Sequence, residues 1–347
     1  MISTSAEAIR DHLIGVLGGC TASEPVAAAV ELGIRNEVAV RRALASAVNI
    51  GAAVIRPTTT TPDRPPARVT DIRDIRHPER ERVRPTTEHT SRPVVHWHRS
   101  GEGPPLLLLN GWTASGLAWP HAWLRRLEEA YDVIRIDNRG TGWSRSAPTP
   151  FTIVDLADDA RDVLRASGID RASVLGISMG GMIAQELAIR HSDTVERLVL
   201  AATRPPTPAH TPMSRAALRL AMSRPQRDQP RREFVISTWA QTTGDGFVAA
   251  HPEALNELGD QVMRRITPRS GRLNQMRAIM SWRGPQRLSR VAAPATVVHG
   301  DQDPLIDVDN GRRLAQLIPS AHYVELSGVG HLVAHEAGDV LIAALSQ

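Results

Sequence analysis

From residue 94 onward, short apolar runs alternate with longer segments whose apolar residues recur every three or four positions. Runs such as 106–109 and 172–176 are too short for buried helices and are bounded by turn residues. They predict strands covered on both faces. Strands are predicted at 94–97, 106–109, 131–136, 172–176, 195–201, 295–299 and 322–325, with helices at 153–166, 180–190 and 310–317. Alternation of this kind predicts an α/β domain with a mostly parallel, doubly wound sheet over residues 94–347. Between about 204 and 290 the rhythm becomes helical and proline-punctuated, which reads as a helical cap inserted into that domain.

The first 93 residues are patterned differently. Thr4-Ser5-Ala6-Glu7 reads as a capping box, and Ile9, Leu13, Val16 and Leu17 follow at helical spacing. A second helical run covers 38–48, and a short helix is expected near 69–75. Residues 1–78 therefore read as a small helical domain. Residues 79–93, rich in Arg, Pro and Thr, read as a linker.

Composition removes several function classes. All 41 basic residues are arginine, so a lysine Schiff base is excluded. The one cysteine, Cys20, has no internal disulfide partner. No run of about 20 apolar residues is present and the N-terminus lacks a signal-peptide pattern, so a cytoplasmic protein with no membrane partner is expected. No residue cluster suggests a metal or cofactor, and neither is expected.

Chemistry concentrates in four loops. The strand 172–176 runs into Gly176-Ile177-Ser178-Met179-Gly180-Gly181 and a helix follows at once. That strand–turn–helix setting gives GxSxG its meaning: Ser178 is held at the sheet's end, beside the free N–H groups of a helix N-terminus. A serine needs a base, and the base an orienting acid. His331, in Ser327-Gly328-Val329-Gly330-His331, follows one later strand. Asp303, in Gly300-Asp301-Gln302-Asp303-Pro304-Leu305, follows another and is favoured over Asp301, which reads as a loop cap. The oxyanion donors expected are the backbone N–H groups of Met179 and of Trp112 in Asn110-Gly111-Trp112. The Asp137-to-Ser144 turn is glycine-rich, but no helix starts inside it and it has no lysine. It reads as structural.

Together the Asn110-Gly111-Trp112 loop, DNRGTGWS, GISMGGMIAQELA, HGDQDPL and GVGH resemble the α/β-hydrolase superfamily, in its group of serine esterases and thioesterases. The resemblance implies the α/β-hydrolase fold and places a nucleophile on Ser178, an acid on Asp303, a base on His331 and oxyanion donors on Trp112 and Met179. Asn110 stands where that family usually has histidine. The N-terminal segment Glu31-Leu32-Gly33-Ile34-Arg35-Asn36-Glu37-Val38 is similar to an acyl carrier protein. Asn36 replaces the serine that carries the prosthetic group, so the resemblance implies a degenerate carrier, serving docking or homo-oligomerisation. A winged-helix module and an unrelated helical bundle remain alternatives.

Residues 204–290 hold 15 arginines against 6 acids, whereas the whole chain carries a net charge of only +4. One reading is a solvated helical surface. Another is a positive mouth for an acidic small-molecule substrate, or for an acidic acyl carrier protein docking at the cap. Nucleic acid is not favoured, because no aromatic residues interleave these arginines. Trp112, Trp239 and Trp282 are candidates to line the substrate pocket, with Met263, Met276 and Met280 as further candidates for its ceiling.

The function expected is cleavage of an ester or thioester through an acyl-enzyme, in natural-product biosynthesis of polyketide type. Two alternatives stay open at this point. One is a non-hydrolytic cyclase or carbon–carbon bond-forming enzyme on the same fold, and the other is a non-catalytic ligand-binding or scaffold protein.

Overall fold

Leu106 to Leu109 are at most 1% exposed, because each face of their strand meets a different apolar layer. The computed structural model describes residues 95–145, 150–319 and 321–346. The expected helical domain at 1–78, with its carrier-like segment, and the linker at 79–93 lie outside the described residues. The strands are β1 (Trp97–Ser100), β2 (Pro105–Leu109), β3 (Asp132–Ile136), β4 (Ala172–Ile177), β5 (Val195–Ala201), β6 (Ala295–Gly300) and β7 (His322–Leu326). They form one sheet in the order β1-β3-β2-β4-β5-β6-β7, with β1 antiparallel to β3 and every other pairing parallel.

In the main body the helices are α1 (His121–Glu128), α2 (Ile153–Ala166) and α3 (Met179–Arg190). The cap helices between β5 and β6 are α4 (Arg215–Ala221), α5 (Arg231–Ala240), α6 (Phe247–Ala250), α7 (Pro252–Arg264) and α8 (Arg269–Ser281). After β6 come α9 (Asp309–Leu317), α10 (Val333–Glu336) and α11 (Gly338–Ser346).

Side chains alternate across a strand, so each strand contributes to two cores. Leu107, Leu109, Val174, Leu198 and Val297 pack with α2 and α3. Leu106, Leu108, Leu175, Val199 and Val298 pack with α1 and α11, through Trp123, Leu341 and Leu345. Burial on both faces explains why these strands read as continuous apolar runs. α2 starts where its sequence allows: Thr152 caps it by accepting the N–H of Asp155, whose carboxylate accepts the Thr152 N–H in return.

β1 differs from expectation. The apolar run suggested 94–97, but the strand occupies Trp97–Ser100. It is an edge strand, in register with Trp97 opposite Ile136 and Ser100 opposite Val133. Polar residues fit there because the Arg99 Nε donates to Asp132 Oδ1 of β3 at 2.8 Å. His98 meets the Trp143 ring edge-on at a centroid distance of 5.4 Å.

The glycine-rich turn after β3 is held by its own first residue. Asp137 accepts the N–H of Gly116 at 2.8 Å and of Trp143 at 2.9 Å. Arg139 in this turn pairs with buried Asp159 of α2, Nη2 to Oδ1 at 2.7 Å. The cap is stitched to the same region by α8. Gln275 accepts the N–H of Thr113 at 2.9 Å and donates to the Arg139 carbonyl at 3.0 Å. Among the described residues, no helix is long and apolar enough to cross a membrane.

Candidate active site

β4 ends at Ile177, and α3 begins at Met179 with Ser178 as its N-cap. No gradual turn fits between them. Ser178 therefore takes φ 58 and ψ −119, a backbone region that costs a non-glycine residue about 1–3 kcal/mol. The surroundings enforce it: the Ser178 N–H donates to Ala201 O of β5 at 3.0 Å, and Ser178 O accepts from Gly181 N at 3.0 Å and Thr203 Oγ1 at 2.7 Å. The side chain is left half-buried at the carboxyl end of the sheet.

The loop after β2 approaches the same point. A Cβ on Gly111 would stand 3.1 Å from Ser178 Cβ, so this loop lies directly against the serine. The Asn110 Oδ1 accepts the Gly111 N–H at 2.8 Å, and its Nδ2 donates to Ser115 O at 3.1 Å, which braces the loop from within. Among the described residues, neither the Trp112 nor the Met179 backbone N–H meets a protein acceptor. Buried N–H groups are nearly always paired in folded proteins, and Met179 is fully buried. These two donors are thus free for an oxygen of a bound molecule.

Asp303 and His331 are brought together, and Asp301 is not part of that contact. His331 Nδ1 lies 2.7 Å from Asp303 Oδ2, with both side chains buried. The other Asp303 oxygen accepts the N–H groups of Leu305 and Ile306, each at 2.9 Å. Burial pushes the Asp303 carboxyl up, but the His331 charge and the bonds from His299 and His331 outweigh it and hold it well below the usual carboxylate range. Asp301 is exposed and accepts the Gly328 N–H at 2.7 Å, bracing the His331 loop from outside. Among the described residues, no hydrogen bond joins His331 to Ser178.

Sequence reasoning passed over His299. It is the penultimate residue of β6, is fully buried, and its Nε2 lies 2.9 Å from Ile306 O and 3.4 Å from Asp303 Oδ2. Its Nδ1 has no partner, and the Ile306 carbonyl can only accept, so Nε2 is the donating nitrogen. His299 thus approaches the same Asp303 oxygen, Oδ2, that His331 contacts. The signal was present: His299 stands inside the HGDQDPL segment, at the carboxyl end of the acid's own strand.

The three tryptophans part company. Trp239, on the last turn of α5, packs against the apolar cluster of Ala114, Ala118, Leu255 and Leu258, on which Leu332 also packs, so it borders the loop after β2. Trp112 donates its indole N–H to Arg272 O of α8 at 2.9 Å, and the Arg272 guanidinium lies over its ring at 5.7 Å. The pocket role expected for Trp282 does not fit its position. It is 4% exposed within the core, and its indole N–H donates to buried Glu186 at 2.8 Å. Met280 is 63% exposed and is no part of an apolar ceiling. No group of three or more His, Cys, Asp or Glu side chains is placed to hold a metal among the described residues.

His335, on α10 beyond His331, is lowered to about 4 by burial. The folded chain therefore resists protonating it, while the unfolded chain takes up that proton near the ordinary 6.5. Its contribution to stability is present above pH 6.5 and is lost as pH falls toward 4. The melting temperature is expected to drop across that window, and His335→Gln, which cannot titrate, to flatten the drop. An unchanged slope in the variant would assign the acid sensitivity elsewhere.

A family model for the α/β hydrolase fold matches residues 104–337. The poly(3-hydroxyalkanoate) depolymerase of Ectopseudomonas oleovorans is 31% identical over 66% of this chain and 78% of its own. The rhodomycin D methylesterase of a Streptomyces species is 28% identical over 75% of this chain and 97% of its own. Among solved structures, the enol-lactonase of Burkholderia xenovorans superimposes with a TM-score of 0.62 at 26% identity, over 73% of this chain and 97% of that one. The sheet order, the turn that carries Ser178 and the matched span of sequence agree, and this chain belongs to the α/β hydrolase family.

Proposed function

We propose that the protein is a serine esterase that cleaves a carboxylic ester or thioester through an acyl-enzyme. The observation that carries the reading is the buried 2.7 Å contact between His331 and Asp303, on the same sheet end as the strained Ser178. His331 Nε2 takes the Ser178 hydroxyl proton as Oγ bonds to the substrate carbonyl carbon. The carbonyl oxygen becomes an oxyanion and accepts the N–H groups of Met179 and Trp112. His331 then protonates the departing alkoxide or thiolate, leaving an acyl group on Ser178. Water, deprotonated by His331, attacks that acyl group and returns the free acid and the serine. Asp303 stays ionised throughout and holds His331 with Nδ1–H toward it.

The relatives support the ester chemistry, since two are a depolymerase and a methylesterase by name. A place in cytoplasmic natural-product biosynthesis is the finer part of the proposal, and the rhodomycin D methylesterase likeness is what supports it. The arginine-rich cap supports an acidic partner. Arg272, whose guanidinium lies over the Trp112 ring, has its pKa lowered by burial and by the charges of Arg224 and Arg269. An acidic ester or an acidic acyl carrier protein would offset that repulsion.

A fluorophosphonate probe tests the core of the proposal. The wild type is expected to take one label, mapped to Ser178 and lost in Ser178→Ala. No label on active protein, or a label elsewhere, would overturn it. Repeating turnover at rising salt reads the cap: KM for an acidic ester rises while KM for a neutral one holds.

A further inference from the structure

The loop that carries His331 is fastened to the cap as well as to the end of β6 and the loop after it. The His331 backbone N–H donates to Thr242 O at 2.7 Å, in the turn that follows α5. Its two neighbours point to one carboxylate. Gly330 N–H donates to Glu336 Oε2 at 2.9 Å and Leu332 N–H donates to Oε1 at 3.0 Å. The same Oε2 accepts the N–H of Gly244, in the cap turn, at 2.7 Å. One side chain thus bridges both flanks of His331 and the cap.

The two backbones are in contact there. A Cβ on Gly244 would stand 1.9 Å from Gly328 O, and one on Gly330 would stand 2.4 Å from Thr242 O. The turn also reaches the acid's loop, because Asp245 N–H donates to Gln302 Oε1 at 2.6 Å. On its other side, buried Thr242 donates its hydroxyl to Trp239 O at 2.7 Å, and Trp239 packs against the cluster that holds Ala114 and Ala118 of the loop after β2. Burial raises the Glu336 carboxyl and the three backbone donors oppose that rise, so the group is held by the loops it joins. Three charge-assisted bonds converging on one half-buried carboxylate are more than a four-residue helix needs.

We infer that Glu336 is a positioning residue that mounts His331 on the cap turn Thr242–Gly244, so that the cap sets where the imidazole stands. The inference rests on the role of His331 in the proposed esterase mechanism. Glu336 touches no reacting atom in this scheme. It acts by fixing the backbone on both sides of His331, and through the turn it ties that backbone to Trp239. A substrate that presses on Trp239 therefore bears on the base itself.

The test uses the full chain and p-nitrophenyl butyrate, with kcat, KM, melting temperature and the rate of fluorophosphonate labelling measured across pH. Glu336→Gln keeps the size and one acceptor oxygen but turns the other end into a donor facing N–H groups. It is expected to lower kcat and the labelling rate about 10- to 100-fold, the size typical of supporting contacts around a site, while KM moves less than about threefold. Gly244→Ala leaves the Glu336 side chain in place but puts a Cβ 1.9 Å from Gly328 O and 3.2 Å from Glu336 Oε2, which pushes the cap turn off the loop and is expected to give the same kcat loss. Wild-type kcat and labelling rate in both folded variants would overturn the inference, as would a loss confined to the unfolded fraction. If the wild type labels at Ser178 while both variants label normally, only this inference fails. If the wild type does not label, the esterase reading fails first.

Discussion

Asp303→Asn is expected to lower kcat/KM about ten-thousand-fold, while Asp301→Asn lowers it less than about threefold. The difference follows from what each oxygen meets. Asp303 Oδ1 accepts two backbone N–H groups, so an asparagine would keep its carbonyl oxygen there. Its NH2 would then face His331 Nδ1, where Oδ2 now stands at 2.7 Å. A donor against a donor forces His331 into the tautomer with its proton on Nε2. That nitrogen could no longer accept the Ser178 proton. His299 reinforces the effect, because its proton already points to Ile306 O and toward Oδ2, and it offers the new amide no acceptor. At Asp301 a single exposed oxygen caps Gly328 N–H, and an asparagine carbonyl does that equally well. Steady-state rates of both variants on one ester check the order. Equal losses, or a larger loss at Asp301, would contradict the pairing of the acid.

That pair also marks how far the sequence was legible. Strand and helix positions could be read because the sheet is buried on both faces. An apolar run such as 172–176 has no other stable home, and β5 and α2 fall at the expected residues. β1 escaped because an edge strand is held by register and by the Arg99–Asp132 contact, neither of which leaves a periodic trace. In the site, residues presented by loops after strands could be nominated one by one, since each motif is local. Their supports could not. Gln275 reaches Thr113 across 162 positions, and Glu336 reaches Gly244 across 92, through backbone groups that every residue type possesses. Trp282 shows the converse error: a large apolar residue in the cap looked like a pocket wall, but its indole serves the buried pairing of Glu186 with Arg287.

Gly180→Ala tests whether the turn that holds Ser178 is built as described. By helix propensity alone the change should stabilise α3 by about 1 kcal/mol. The structure dictates the opposite. A Cβ at this position would stand 1.9 Å from Leu109 O, 2.5 Å from Leu109 C and 2.8 Å from Asn110 O, all backbone atoms of β2 and its loop. None can rotate away, so relief requires moving the start of α3 or the end of β2. Either movement costs on the order of 3 kcal/mol, and either displaces the parts that matter: Met179 N–H lies on one side and the Gly111–Trp112 loop on the other. The variant is expected to melt several degrees lower and, where still folded, to label with fluorophosphonate at least about 100-fold more slowly. Gly168→Ala separates this from ordinary backbone strain. Gly168 has φ +71 but nothing within 4 Å of a Cβ, so that substitution is expected to cost about 1–2 kcal/mol and to leave the labelling rate unchanged. Equal stability losses in the two variants would mean that the close approach of α3 to β2 does not constrain the serine. A larger loss of labelling in Gly180→Ala than its stability loss accounts for would tie the reactivity of Ser178 to that backbone contact.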